Sequence, residues 1–230
     1  MNSSEKPSLN ERLNSVESSV EMETYRQIQA LKSTFRVFQG NHEELLKCLE
    51  PLKDSQKSLS IYRYDTQNKE ILIDEISRLF HNFLASAKSL VDHTRVSIDK
   101  LYPNHDFKAE YQTKLDQDLA NNEVQKFIQK LRNYTQHYTL PLVGLQIRFQ
   151  QDVGIDCRMK LDIESLLRWT NWSDSKKYLE RNIKGIFLED LVQEYYQLIA
   201  DFYQWLEKRQ HEIHKSDFEK LQLMINSTND

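Results

Sequence analysis

Glycine is scarce in this chain: four in 230 residues (Gly40, Gly144, Gly154 and Gly185), each isolated from the others. Loops that cradle phosphates on backbone amides need several glycines close together, so a Rossmann dinucleotide fold, a P-loop nucleotidase and a protein kinase are excluded. Cysteine is scarcer still. Cys48 and Cys157 stand far apart with no C-x-x-C pair, which argues against a disulfide framework or a zinc knuckle and for a reducing compartment. No apolar run approaches the roughly 18 residues of a membrane span, and the first eight residues lack the apolar core of an export signal. No membrane association is expected, and the expected location is cytoplasmic. A dominant charge is lacking too: 31 Lys and Arg face 35 Asp and Glu, a net charge of −4. No global field draws the molecule onto nucleic acid or anionic lipid, so any RNA contact must be local.

With four prolines and a 29% charged fraction, the Leu-, Gln-, Glu- and Lys-rich remainder reads as long helices. Residues 1–16 are polar and Ser/Asn-rich and are expected to be a flexible lead-in. Val20, Tyr25, Ile28, Leu31, Phe35 and Val37 then recur at helical steps as far as Gly40, expected to stop that helix. Asn41-His42-Glu43-Glu44 has the form of a capping box opening a short helix that Pro51 ends. Around Leu59, Ile61 and Tyr62 the pattern fits either a short strand or an irregular packed segment. From Lys69 to Tyr102 the apolar residues predict one long helix closed by Pro103, and Lys108–Leu140 predicts another, broken near Asn121-Asn122 and stopped by Pro141. The period then changes. Leu145, Ile147 and Phe149 alternate with polar residues, Asp152-Val153-Gly154 reads as a turn, and Ile155, Cys157, Met159 and Leu161 alternate again, which predicts a β-hairpin. Asp162 is placed to cap a helix through Trp169, and Ser173 or Asp174 one through Asn182. Leu188, Leu191, Val192, Tyr195, Leu198, Ile199, Phe202 and Leu206 mark a last long helix before a polar tail. The fold expected is mainly α: a helical bundle of long antiparallel helices with one inserted β-hairpin near 144–161. A single domain over residues 17–225 lies between the lead-in and a flexible tail over 226–230.

One segment carries candidate chemistry: Leu131-Arg132-Asn133-Tyr134-Thr135-Gln136-His137-Tyr138-Thr139-Leu140-Pro141. An Arg, an adjacent polar residue and a His after four intervening residues resembles the signature of the HEPN superfamily, helical nucleotide-binding and ribonuclease domains of bacterial toxins and defence systems. Spacing alone does not single it out, because Arg36–His42 and Arg209–His214 also fit. Of these three arginines only Arg132 is followed by Asn. The resemblance implies a metal-independent endoribonuclease or RNA-binding relative, acting as a homodimer on single-stranded RNA, in toxin–antitoxin or phage-defence biology by analogy. It needs no cofactor. Arg132, Asn133 and His137 would be the catalytic residues, with Gln136 and Tyr138 binding substrate.

The helical projection is compatible with that reading. Val124, Phe127, Ile128, Leu131, Tyr134 and Tyr138 gather on one side, and Arg132, Asn133, Gln136 and His137 follow one another around an arc of about 140° on the other. A His can move the proton of a ribose 2′-OH near neutral pH, an Arg can hold phosphate by charge-assisted bonds, and Asn133 could orient the imidazole or the substrate. Any surface helix also has a polar arc opposite its apolar stripe. The alternative is therefore a non-catalytic helical module that binds a protein partner and whose Arg132–His137 arc is structural.

Other residues are read as structural. His211, Glu212 and His214 lack further metal ligands nearby and fit a solvated helix end. His81, beside Phe80 and Phe83, fits a hydrogen-bonded packing histidine. The aromatic series Trp169, Trp172, Tyr178, Tyr195, Tyr196, Phe202, Tyr203 and Trp205 is core or interface before it is a base-stacking platform.

Overall fold

The computed structural model describes residues 8–54, 66–141, 143–150 and 154–228. Its order is α1 (Leu9–Glu17), α2 (Val20–Leu49), a 3-10 turn (Glu50–Lys53), α3 (Thr66–Leu101), α4 (Phe107–Leu115) and a π turn (Asp116–Ala120). Then follow α5 (Glu123–His137), β1 (Val143–Gln150), β2 (Gly154–Leu161), α6 (Ile163–Leu167), α7 (Ser175–Arg181), β3 (Ile186–Phe187), α8 (Leu188–Ile213) and α9 (Lys215–Thr228). The protein is mainly α with an inserted hairpin, as its periodicity predicts.

The core forms where the apolar stripes of α2, α3 and α8 meet. Phe38 stacks on Phe83 of α3 and on Tyr196 of α8, with ring centroids 5.2 and 5.8 Å apart, and Tyr195 meets it edge-on. Along α2 the partners on α3 run backwards, from His93 opposite Thr34 to Phe83 beside His42, so the two helices are antiparallel. Phe38, Phe83, Leu45, Ile76 and Tyr195 have no exposed surface, and each of the first four contributes about 1.5–3 kcal/mol of transfer free energy. Tyr203 is buried with its hydroxyl on Thr94 Oγ1 and the Leu90 carbonyl; burial pushes its phenol pKa well up.

The helix of residues 20–37 does not stop at Gly40. It continues to Leu49, and Asn41 sits inside it, donating from Nδ2 to the Val37 carbonyl at 2.8 Å instead of capping a new helix. A glycine inside a helix costs about 1 kcal/mol. Burial of Phe38, His42, Leu45 and Leu49 on the same helix offsets that. The N-terminal segment is helical from Leu9, started by a reciprocal capping box between Ser8 and Glu11. The polar stretch after α8 is also helical: α9 buries Leu221, lays Phe218 against Tyr25, and meets α1 where Arg12 donates to the Ser227 carbonyl at 2.6 Å.

The predicted break near Asn121-Asn122 is present. A π turn precedes it, and the Asn122 side chain caps α5 by accepting from the Gln125 amide at 3.0 Å. The hairpin pairs β1 with β2 antiparallel, Leu145 opposite Met159 and Ile147 opposite Cys157, and β3 adds a short third strand against β2. Leu145, Ile147, Cys157, Met159 and Leu161 pack on the helices. Asp162 caps α6 through the Ser165 amide. The segment around Leu59, Ile61 and Tyr62, and Asp152-Val153 of the predicted turn, lie outside the described residues.

Candidate nucleic-acid interface

α5 presents the candidate motif because its opposite face is held down. Val124, Phe127, Ile128, Leu131 and Tyr134 are buried, against a wall of aromatic rings from the segment after the hairpin. Trp172 stacks on Tyr134 at 5.6 Å and lies 5.8 Å from Phe127, Trp169 meets Tyr134 edge-on, and Tyr178 lies 4.9 Å from Phe127. The Trp172 indole donates to the Leu166 carbonyl at 2.7 Å, which pins the wall to α6. Burial raises the Tyr134 phenol above its ordinary range and pushes that of Tyr178 up to about 12. Neither phenol ionises near neutral pH.

On the solvent side, His137 and Gln136 are exposed, while Arg132 and Asn133 are half-buried. Arg132 Nη1 donates to Asn133 Oδ1 at 3.2 Å. The discriminating asparagine therefore holds the arginine, and the suggested support of the imidazole is not made by this oxygen. His137 lies one helical turn beyond Asn133 on the same side. Tyr138 departs from the projection. It leaves the helix at φ −129, ψ −73 and is 56% exposed, its ring against Tyr134 at 5.2 Å. Leu140, 46% exposed, extends this apolar rim before Pro141.

The three Arg–His pairs with similar spacing have different surroundings. His42 is buried at 5% exposure, its ring lying flat on Tyr196 with centroids 3.8 Å apart. Desolvation lowers its pKa below the ordinary histidine value, opposed by Gln193 and Glu43. Arg36, its pair-mate, donates to Ser33 Oγ. Arg209 bonds both oxygens of Glu110, at 2.7 and 2.8 Å, and also contacts Glu212. These partners raise its pKa, and Arg209 lowers that of Glu110. His214 is not at a solvated end. Nδ1 lies 2.8 Å from Asp217 and Nε2 3.0 Å from the Tyr102 hydroxyl. Of the three histidines only His137 opens to solvent.

His81 does not make the hydrogen bond expected of it, its Nδ1 being buried without a partner among the described residues; three other histidines serve packing or local bonds. His105 Nδ1 accepts from the Phe107 amide, His93 bonds Thr34, and His211 stacks on Phe218. Among the described residues no three His, Cys, Asp or Glu side chains converge to hold a metal ion. A cleft of about 430 Å³ between α2 and α8 contains no motif residue, and its Lys32 and Glu207 pair with each other at 2.7 Å. A smaller cavity of about 330 Å³ lies beside the motif, between α5 and the corner that starts α7, and is lined by Lys126, Lys130, Asn133 and Ser173. No motif in the sequence marks the two lysines. Their steps to Asn133 and His137 (126, 130, 133, 137) follow the helical rule that places residues on one stripe.

The chain matches no family model, no curated protein and no solved structure. No helix among the described residues is long and apolar enough to cross a membrane.

Proposed function

We propose that this chain is an RNA-binding protein of HEPN type that cleaves single-stranded RNA without a metal, acting as a homodimer in the cytoplasm. The observation that carries the reading is the selective accessibility of His137: the other two histidines of the same spacing are packed or bonded, and this one stands in solvent beside an Arg132–Asn133 pair. His137 accepts the proton of a ribose 2′-OH as that oxygen attacks phosphorus. The bond from phosphorus to the 5′-oxygen breaks, and that oxygen takes a proton from a second acid, the His137 of the other copy. Arg132, steadied by Asn133, neutralises the phosphate as charge builds on it. Gln136 and Tyr138 contact the flanking nucleotides. The exposed apolar rim of Tyr138 and Leu140 provides surface for the second copy to cover.

The test is product chemistry. Cleavage of single-stranded RNA should persist in excess EDTA and leave a 2′,3′-cyclic phosphate and a 5′-hydroxyl, because protein groups supply the proton transfer. Arg132→Ala should lower the rate by on the order of 10² or more, with Asn133→Ala intermediate. Light scattering should find a dimer. The same rim, together with the bonding of Arg132 to its own neighbour, favours a second reading, a non-catalytic module that binds a protein partner. Absence of cleavage with every RNA tried selects that module, and loss of cleavage in chelator overturns the metal-free mechanism.

A further inference from the structure

α5 carries no Asp or Glu between Val124 and His137, yet it carries Lys126, Lys130 and Arg132. Among the described residues none of these three cations has a carboxylate partner. Several cations on nearby elements do: Arg181 pairs with Glu123, Lys176 with Glu180 and Lys114 with Asp118. Long cationic side chains left without counter-charges beside a concave surface are poised for an anionic ligand.

Their placement selects the ligand's shape. Positions 126, 130, 133 and 137 fall within about 60° of one another around the helix and extend about 16 Å along it, so they form one straight row. The first three line the cavity of about 330 Å³ beside α5. Its far wall is the corner before α7, where Ser173 adopts a left-handed backbone (φ +50), unfavourable for a residue with a Cβ. That corner sets the Ser173 hydroxyl 3.3 Å from Lys130 Nζ, a hydroxyl and an ammonium side by side. Asp174, exposed at the rim, is the one acid lining the cavity. A row of two ammonium groups, an amide and a hydroxyl ending at an imidazole fits a linear polyanion, with successive phosphates along the row.

We infer that Lys126, Lys130, Asn133 and the Ser173 hydroxyl form a track that holds the phosphate backbone of single-stranded RNA and leads it along α5 to His137, an inference that rests on the nuclease reading above. The track binds phosphates and no base edges, so it adds affinity without sequence preference.

The probe is a fluorescein-labelled 2′-O-methyl oligouridylate, which lacks the attacking hydroxyl and reports binding alone by anisotropy across a salt series. For single strands each phosphate contact contributes about 0.7 to the slope of log affinity against log salt. Lys126→Gln with Lys130→Gln is expected to flatten the slope by about 1.4, and Lys130→Arg to restore its share. The same double substitution should raise KM for a long RNA and leave cleavage of a dinucleotide such as UpA unchanged, because a dinucleotide reaches only the His137 end. An unchanged slope and affinity in the double variant overturns the track and leaves the nuclease reading intact. Loss of UpA cleavage in that variant also overturns it, since the lysines would then act on the reacting centre itself. A wild-type protein that binds no oligouridylate overturns the track and the nuclease reading together.

Discussion

The ends of α5 and α8 carry the same sequence spacing in opposite circumstances. At α8, Arg209 is clamped to Glu110 and Glu212, and His214 bridges Tyr102 and Asp217, so both groups tie the C-terminal helices to α3 and α4. At α5, Arg132 touches only its neighbouring Asn133 among polar side chains described, and His137 faces water. An Arg–His spacing thus says little about chemistry until the partners of each group are known. Acids decide the difference: Glu110, Glu212 and Asp217 surround the α8 pair, whereas α5 beyond Glu123 has no acid.

The largest expected effect comes from the wall behind α5. Trp172 is 1% exposed and supports both Phe127 and Tyr134. Trp172→Ala should cost about 3–5 kcal/mol in denaturant melts through the cavity it leaves. RNA binding should fall with it; full RNA binding by a destabilised variant would mean that α5 does not depend on the wall. Next is His214→Ala, which leaves the Tyr102 hydroxyl, whose pKa burial pushes up to about 12, without its imidazole partner. A loss of about 1–3 kcal/mol is expected, and an unchanged melting temperature would erase the contrast with α5. Arg209→Ala should lower the melting temperature less than His214→Ala does, because its carboxylate partners are substantially exposed and screened by water.

The third pair gives the mildest test. His42 is buried with its pKa lowered by desolvation, so the unfolded chain binds its proton more readily than the folded one. Its contribution to stability is complete above the unfolded value near 6.5 and is lost as pH falls from there through the lowered folded value. His42→Gln should remove that segment of the pH–stability curve; a variant that follows the wild-type curve between pH 7 and the carboxylate range would place the effect elsewhere.

Periodicity made much of the fold legible. The stripes of α3, α5 and α8 and the alternation at 145–147 and 157–161 each mark one buried face, and burial is what holds these elements. The failures came where packing outweighs a local signal. Gly40 punctuates a helix only if nothing holds the next turn, and here Phe38, His42 and Leu45 do. α9 is polar overall, and its few anchors, Phe218 and Leu221, are too sparse to form a visible stripe. The start of α1 was readable, since Ser8 and Glu11 have capping-box spacing, but the surrounding Ser and Asn obscured it. At the candidate site the Arg–Asn–His order was legible. The occupation of the two rival pairs was not, because Glu110 lies 99 residues from Arg209 and Tyr102 lies 112 from His214.

The most direct test of the central claim, that the α5 pair is chemical and the α8 pair structural, is to compare His137→Ala and His214→Ala with wild type. Cleavage of one single-stranded RNA in excess EDTA and thermal melting would be measured on the same preparations. The expected result is a rate loss on the order of 10² or more for His137→Ala at an unchanged melting temperature, and a wild-type rate at a lowered melting temperature for His214→Ala. Retained cleavage in His137→Ala, with activity lost instead in His214→Ala, would contradict it.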